Sequence, residues 1–210
     1  LYDGSLIAND DYTFIAVAQR RSNCGRQIIT GGSSSSANQN LHFFWYNSGT
    51  TLNSHHYGND FESALINNTE SYSGGTDQNE YGIFSTLLNS GAGYREHFHN
   101  DSVLDTYNNG TQLSGYNGAA IGRFAPTNEY GNIDVAEVII YSSPLNHAQL
   151  SIVHNYLSEK YDINIVDDLF TAPSGYNNYI SGIGRKDGEN HDQSSSGGLY
   201  FSQNGGLDDG

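Results

Sequence analysis

An all-β fold, a sandwich of two antiparallel sheets closed by one C-terminal helix, is what this 210-residue sequence predicts. Three observations carry that expectation. Short apolar and aromatic runs recur about every ten residues between clusters of Gly, Asn and Ser, which is the spacing of sandwich strands. One segment alone, Asn146–Tyr161, sustains a helical period. A chain of this length also suffices for one sizeable β domain as a single unit.

Taken in order, Tyr12–Gln19 is the first strand, and Arg26–Thr30 begins a second that is interrupted by Gly31 and Gly32 and followed by the polar loop Ser33–Asn40. Leu41–Tyr46 and Leu52–Tyr57 read as a hairpin around Asn47-Ser48-Gly49. Alternation puts Leu41, Phe43 and Trp45 on one face of its first arm and His42, Phe44 and Tyr46 on the other. Both faces are largely apolar or aromatic, as in a strand covered on two sides. Asn67–Gln78 reads as a turn-rich loop. Glu80–Leu88 is a strand broken by Gly82, Gly93–Asn100 is another, and Val103–Tyr107 with Thr111–Leu113 forms a hairpin around Asn108-Asn109-Gly110. Gly118–Arg123 is a further short strand. Ile133–Tyr141 is β-branched and apolar, a strand buried mainly on one face and finally on both. Then the period changes. Asn146 with Gln149 makes a capping box, Leu145 and Leu150 a hydrophobic staple, and Leu150, Val153, Tyr156, Leu157 and Tyr161 a helical stripe of about four turns.

The end of this series carries a resemblance. Ala136–Tyr141, Leu145, Tyr156, Leu157, Lys160, Tyr161 and Ile163 resemble the last strand, turn and helix of the laminin-G-like, concanavalin A-like jelly-roll modules of large secreted or surface-anchored bacterial proteins. The stretches beginning at Thr13 and at Asn40 are similar to two further strand regions of the same modules. The resemblance covers about residues 12–163. It implies a concanavalin A-like jelly roll, and it is poor for function because the fold serves lectins, adhesins, spacers and some enzymes. It places that jelly roll at residues 1–165. Residues 166–210, a linker and a tail rich in Gly, Ser and Asn, either pack on the sandwich or begin a truncated next domain. Modules of this type carry one or two more strands at the start, so the sequence reads as a piece of something longer.

Composition narrows the partners. With 8 Lys and Arg against 23 Asp and Glu the formal net charge is -15, which disfavours nucleic acid and anionic membrane surfaces. The balance is compatible with bound calcium. Cys24 stands alone, so the sequence has no intrachain disulfide and no CxxC metal knuckle. No apolar run approaches the ~18 residues that span a bilayer.

Chemistry is sparse. Asp134 and Glu137 point to opposite faces of their strand, so they form no pair of the kind retaining glycosidases need. Gly91 followed after five residues by His97-Phe98-His99 reproduces the opening of a cupin metal motif, but no glutamate follows in Asn100–Leu104. A third set mixes rings with amides, carboxylates and bases: Trp45, Tyr46, His55, His56, Tyr57, Asn59 and Asp60, with Arg95, His97 and His99 alongside. Sugars present apolar C–H faces to rings and vicinal hydroxyls to polar side chains, so a lectin site needs both kinds together. We therefore expect a non-catalytic, secreted or cell-surface binding and adhesion module that takes a glycan or another cell-surface ligand. Its ligand-binding candidates are Trp45, Tyr46, His55, Tyr57, Asn59, Asp60, Arg95, His97 and His99. Calcium is the one cofactor expected, structural, with oxygen ligands from Asp60, from Asp134 or from the Asn9-Asp10-Asp11 cluster and backbone carbonyls completing the shell. Other partners would be neighbouring modules of a longer parent chain. A purely structural or protein–protein interaction module is the second reading, and a glycoside-active or metal-dependent enzyme ranks third.

Overall fold

The computed structural model describes residues 3–21, 26–46, 51–64, 80–115 and 118–168, together with strand residues 185–186, 189–190, 193–196 and 199–202. Cys24, the turn at 47–50 and the loop expected at 67–78 lie outside these.

Among the described residues twelve strands precede the helix: β1 (Tyr12–Arg20), β2 (Gln27–Gly31), β3 (His42–Tyr46), β4 (Thr51–His55), β5 (Phe61–Ala64), β6 (Gly82–Asn89), β7 (Tyr94–His99), β8 (Ser102–Tyr107), β9 (Ala120–Ile121), β10 (Arg123–Phe124), β11 (Glu129–Tyr130) and β12 (Ile133–Tyr141). They build two five-stranded antiparallel sheets. The first has the order β12-β1-β6-β7-β8 and the second β5-β4-β3-β2-β9, with β10 and β11 as a two-stranded ribbon. One α-helix is seen among the described residues, α1 (His147–Tyr161). The tail strands β13 (Arg185–Lys186), β14 (Glu189–Asn190), β15 (Gln193–Ser196) and β16 (Leu199–Ser202) pair as two short hairpins. The predicted class, all-β with two antiparallel sheets and one C-terminal helix, is the one the structure has.

Burial explains why β1 and β6 lie at the heart of the first sheet. Phe14, Ala16 and Ala18 of β1 face the second sheet and pack with Ile29, Phe43, Trp45, Leu52 and Phe84. The alternate residues Ile15 and Val17, with Ile83, Leu87 and Phe98, face outward and are covered by Leu150 and Leu157 of α1. A strand flanked on both sides by strands and covered on both faces needs a continuous apolar run. β12, expected to be buried mainly on one face and finally on both, is less enclosed than that. It pairs only with β1, at the sheet edge, and its residues are only partly buried. Its apolar run serves the core on one side and the helix on the other without being enclosed.

The helix is capped as its sequence predicts. Asn146 Oδ1 accepts from the Gln149 N–H at 2.8 Å, and Gln149 Oε1 accepts from the Asn146 N–H at 3.0 Å. Its packed face differs from the expected stripe. Tyr156 is 54% exposed, while Ser151, His154, Asn155 and Ser158 are buried. These polar groups are satisfied in a seam under the helix: His154 Nε2 meets Ser85 Oγ at 2.8 Å, His154 Nδ1 meets Asp101 Oδ1 at 3.2 Å, and Ser151 Oγ donates to Asp101 Oδ2 at 3.0 Å. A hydroxyl, an imidazole and a carboxylate in that order are the parts of a nucleophilic site. Here Ser85 and His154 have no exposed surface, so the seam fixes the helix on the sheet and meets no substrate.

Two other differences from the sequence reading are local. Residues 111–113 form no strand, and Leu113 makes only an isolated parallel bridge to Ala8. Residues 61–64 do form one, β5, whose Phe-Glu-Ser-Ala sequence is too short and too mixed to show a strand pattern. The expected strand at 118–123 splits into β9 and β10 at Gly122, whose φ of 74° is in the left-handed region. That turn carries the ribbon over the second sheet. A Cβ on Gly31 would stand 2.7 Å from the Arg123 carbonyl, so the crossing is close enough to require glycine beneath it.

Candidate functional site

The register of the second sheet sorts the predicted site residues onto two faces. Phe43 pairs with Ser54 and Trp45 with Leu52, which face the first sheet, whereas His42 pairs with His55, Phe44 with Asn53 and Tyr46 with Thr51 on the outside. Asn53 in turn pairs with Glu62 of β5, so Glu62 joins the outer face.

Trp45 is therefore a core residue. It is 1% exposed, meets Phe84 edge-on at 4.8 Å between ring centroids, and lies under the Arg20 guanidinium at 5.9 Å. Arg95, His97 and His99 share one face of β7 as alternation requires, but that face is the interior. Their partners across the strand pair are Leu88, Thr86 and Phe84. Arg95 donates to the carbonyls of Ser54, at 3.1 Å, and Asn59. His97 sits between two hydroxyls, Ser63 Oγ at 2.7 Å from Nδ1 and Ser54 Oγ at 2.7 Å from Nε2, and stacks on Phe61 at 3.9 Å. A neutral imidazole has one donor and one acceptor nitrogen, so one serine accepts from the ring and the other donates to it. His99 stacks on Phe84 at 4.8 Å. Arg95 and His97 have no exposed surface and His99 only 8%, so Arg95 and His97 tie the sheets together and the three present little or nothing to a ligand. His56 is interior too, with its Nε2 at 2.9 Å from the Tyr12 hydroxyl.

The outer face gathers the rest. His42 is stacked between Phe44 at 4.2 Å and Phe124 of the ribbon at 4.1 Å, and Tyr57 stacks on Phe124 at 5.4 Å with its hydroxyl 3.3 Å from His42 Nδ1. This is an apolar floor. Burial pushes the His42 imidazole down to about 2 and raises the Tyr57 hydroxyl to about 12, so both are neutral near pH 7. Polar and exposed groups frame it. Tyr46 is 37% exposed, and the Arg26 guanidinium lies 5.5 Å from its ring and 5.6 Å from that of Phe44. Arg26 Nη1 donates to Glu129 Oε1 at 2.8 Å. On the other flank His55 stands edge-on to Phe44 at 4.8 Å, and its Nδ1 is 3.7 Å from Asp60 Oδ2. Burial lowers the His55 imidazole, an effect that Asp60 opposes and Arg26 and Arg95 reinforce. Asp60 Oδ1 accepts from the Tyr57 N–H at 2.9 Å, which holds the β4–β5 turn.

Tyr46, His55, Tyr57 and Asp60 are thus brought together on one face. Asn59 is adjacent in sequence, but its side chain joins an amide chain, donating to Asn38 Oδ1 at 3.0 Å and accepting from Asn109 Nδ2 at 2.7 Å. Sequence reasoning missed four members: Arg26, His42, Phe124 and Glu129. The alternation that grouped His42 with Tyr46 was the available signal for one of them. The other three arrive from strands and a ribbon far away in the chain.

Asp60 and Asp134, each a candidate calcium ligand, lie far apart. Asp60 is in the turn leading to β5, an edge strand that lies beside β8, whereas Asp134 is on β12, at the opposite edge of the sandwich beside β2. Asp134 is engaged by the Arg21 guanidinium, whose Nε donates at 2.6 Å. Among the described residues no group of three His, Cys, Asp or Glu side chains is placed to hold a metal ion. Asp11, from the other cluster, accepts from the Ser90 N–H at 3.0 Å and from Gln112 Nε2 at 3.0 Å.

No protein-family model matches the sequence, and neither does any curated protein. Solved structures do match in fold. The CBM40 of a Ruminococcus gnavus IT-sialidase, bound to alpha2,3 sialyllactose, superposes with a TM-score of 0.54 at 11% identity, over 71% of this chain and 85% of that one. Domain 4 of AbnA, a GH43 extracellular arabinanase from Geobacillus stearothermophilus in complex with arabinotriose, gives 0.51 at 16% identity, over 73% and 70%. The NanB sialidase of Streptococcus pneumoniae gives 0.55 at 15% identity over 72% of this chain, which spans only 26% of that enzyme. At such identities the likeness is one of fold: the chain is a β-sandwich of the kind found in these proteins.

Proposed function

We propose that this chain is a non-catalytic carbohydrate-binding module that takes a glycan on the outer face of its second sheet. One observation carries the reading. An exposed ring, Tyr46, stands edge-on beside the buried rings of this face, with polar pairs on either side, Arg26 with Glu129 and His55 with Asp60. A pyranose or furanose ring stacks its C–H face on such an aromatic and directs its hydroxyls to the flanking polar groups. Support comes also from the folds it resembles, two of which were solved holding sialyllactose and arabinotriose. The buried Ser85–His154–Asp101 seam and the separated carboxylates favour binding over catalysis. With this reading go a laminin-G-like, concanavalin A-like label, an extracellular setting and a place beside other modules in a longer protein. No described helix is long and apolar enough to cross a membrane.

The test is a glycan array followed by titration of the best-retained sugar. Tyr46→Ala should weaken binding by about 1–2 kcal/mol, roughly tenfold, while leaving the circular dichroism and the unfolding midpoint near those of the parent, because the ring is at the surface. Asp60→Asn should weaken it through loss of a charge-assisted hydrogen bond. Unchanged affinity in both variants would move the site elsewhere. Retention of no glycan by the parent protein would favour the structural reading.

A further inference from the structure

Charge on the outer face discriminates among glycans. Six of the eight basic residues lie within residues 3–168, and their positions are informative. Arg20 and Arg95 are buried. Arg21 is held by Asp134 and Lys160 by Glu137. Arg26 alone reaches the Tyr46 ring, and it is already paired with Glu129. Arg123 lies 5.7 Å over the Tyr130 ring, and because it alternates with Phe124 on β10 it points away from the floor that Phe124 helps to make. Against the single Arg26 the face sets Glu129, Asp60 and the exposed Glu62. His55 adds no positive charge near neutral pH, since burial keeps its imidazole neutral. The whole chain, at -15, reinforces the sign.

Resting on the glycan reading of this face, we propose that its ligand is an uncharged oligosaccharide and that sugars carrying a carboxylate or sulfate are rejected. An anionic sugar would have to draw Arg26 away from Glu129, leaving a half-buried carboxylate uncompensated on a face that carries two more. An uncharged sugar leaves the pair intact. Its vicinal hydroxyls can donate to one member and accept from the other, and Glu129 Oε2, a buried oxygen with no hydrogen-bond partner, adds to the acceptor character beneath them. An unpartnered carboxylate oxygen welcomes a hydroxyl proton and repels a second carboxylate.

The experiment prints neutral oligosaccharides beside the same oligosaccharides capped with sialic acid, uronic acid or sulfate, and probes them with the whole chain at low and high salt. The neutral members should be retained, and acidic capping should weaken them roughly tenfold, a penalty that shrinks as salt screens the repulsion. Glu62→Gln and Glu129→Gln should each narrow the gap about threefold, the first from an exposed strand position where folding is not at stake. Arg123→Gln should leave it unchanged. Retention of acidic glycans while their neutral parents fail would overturn the proposal and leave the glycan-binding reading standing. Retention of neither kind would overturn both.

Discussion

Taking the protein from pH 6.5 down to pH 5 should remove about 5 kcal/mol of stability, a large part of what a small domain possesses. The effect comes from three imidazoles. His42, His56 and His97 have no exposed surface, and burial, helped at His56 and His97 by the neighbouring Arg95 charge, holds all three far below the usual histidine range. In the unfolded chain each takes a proton near pH 6.5. Above that pH both states are neutral and the stability is intact. Below it only the unfolded chain binds protons, so folding loses about 1.4 kcal/mol per pH unit for each histidine, or about 4 together. The window above pH 5 keeps the carboxylates out of the transition. Denaturant midpoints at pH 7, 6 and 5 should fall steeply, and His97→Gln, which keeps partners for Ser54 and Ser63, should reduce the slope by about a third. A midpoint that does not move over this range would mean that the interior imidazoles accept protons in the folded state.

Trp45→Ala and Tyr46→Ala, one residue apart, should fail in opposite ways. Trp45 fills the sandwich between Phe84 and Arg20, and its truncation should destabilise by about 3–5 kcal/mol. Tyr46, on the other side of the same strand, should change stability by less than about 1 kcal/mol and carry its effect in glycan affinity. Urea unfolding of both variants separates these outcomes. A destabilised Tyr46→Ala beside a stable Trp45→Ala would mean that the face assignment of β3 is reversed.

The strands and the helix were legible because they rest on local periodicity. Asn146 and Gln149 announced the capping box from spacing alone, and the alternation in Leu41–Tyr46 divided the strand into the two faces the structure shows. What alternation cannot supply is which face is inside. His42 and Trp45 are both apolar enough for either environment, and the choice between them is made by sheet packing, which depends on Phe84 and on the ribbon at Phe124. Arg95, His97 and His99 show the same gap more sharply. Three polar side chains on one strand face read as a surface, but the hydroxyls of Ser54 and Ser63 bond His97 and the carbonyls of Ser54 and Asn59 bond Arg95 between the sheets, and those partners lie more than thirty residues away in the chain. Arg26 and Glu129 are 103 positions apart, and neither stands out in its own neighbourhood. The burial of Ser151 and His154 under the helix is hidden for a similar reason. A helix that buries polar groups against Ser85 and Asp101 beside Leu150 and Leu157 shows only part of its inner face as an apolar stripe.

The most direct test of the binding face is a map of backbone amide shifts as the best-retained neutral oligosaccharide is titrated into the isotopically labelled chain. The largest saturating changes should fall on Arg26, Tyr46, His55, Tyr57, Asp60 and Glu129, with Arg95, His97 and the residues of α1 nearly silent. Changes concentrated on α1 or on the loops around Asn38 and Asn109, with Tyr46 and Glu129 unmoved, would contradict the assignment of the site to the outer face of the second sheet.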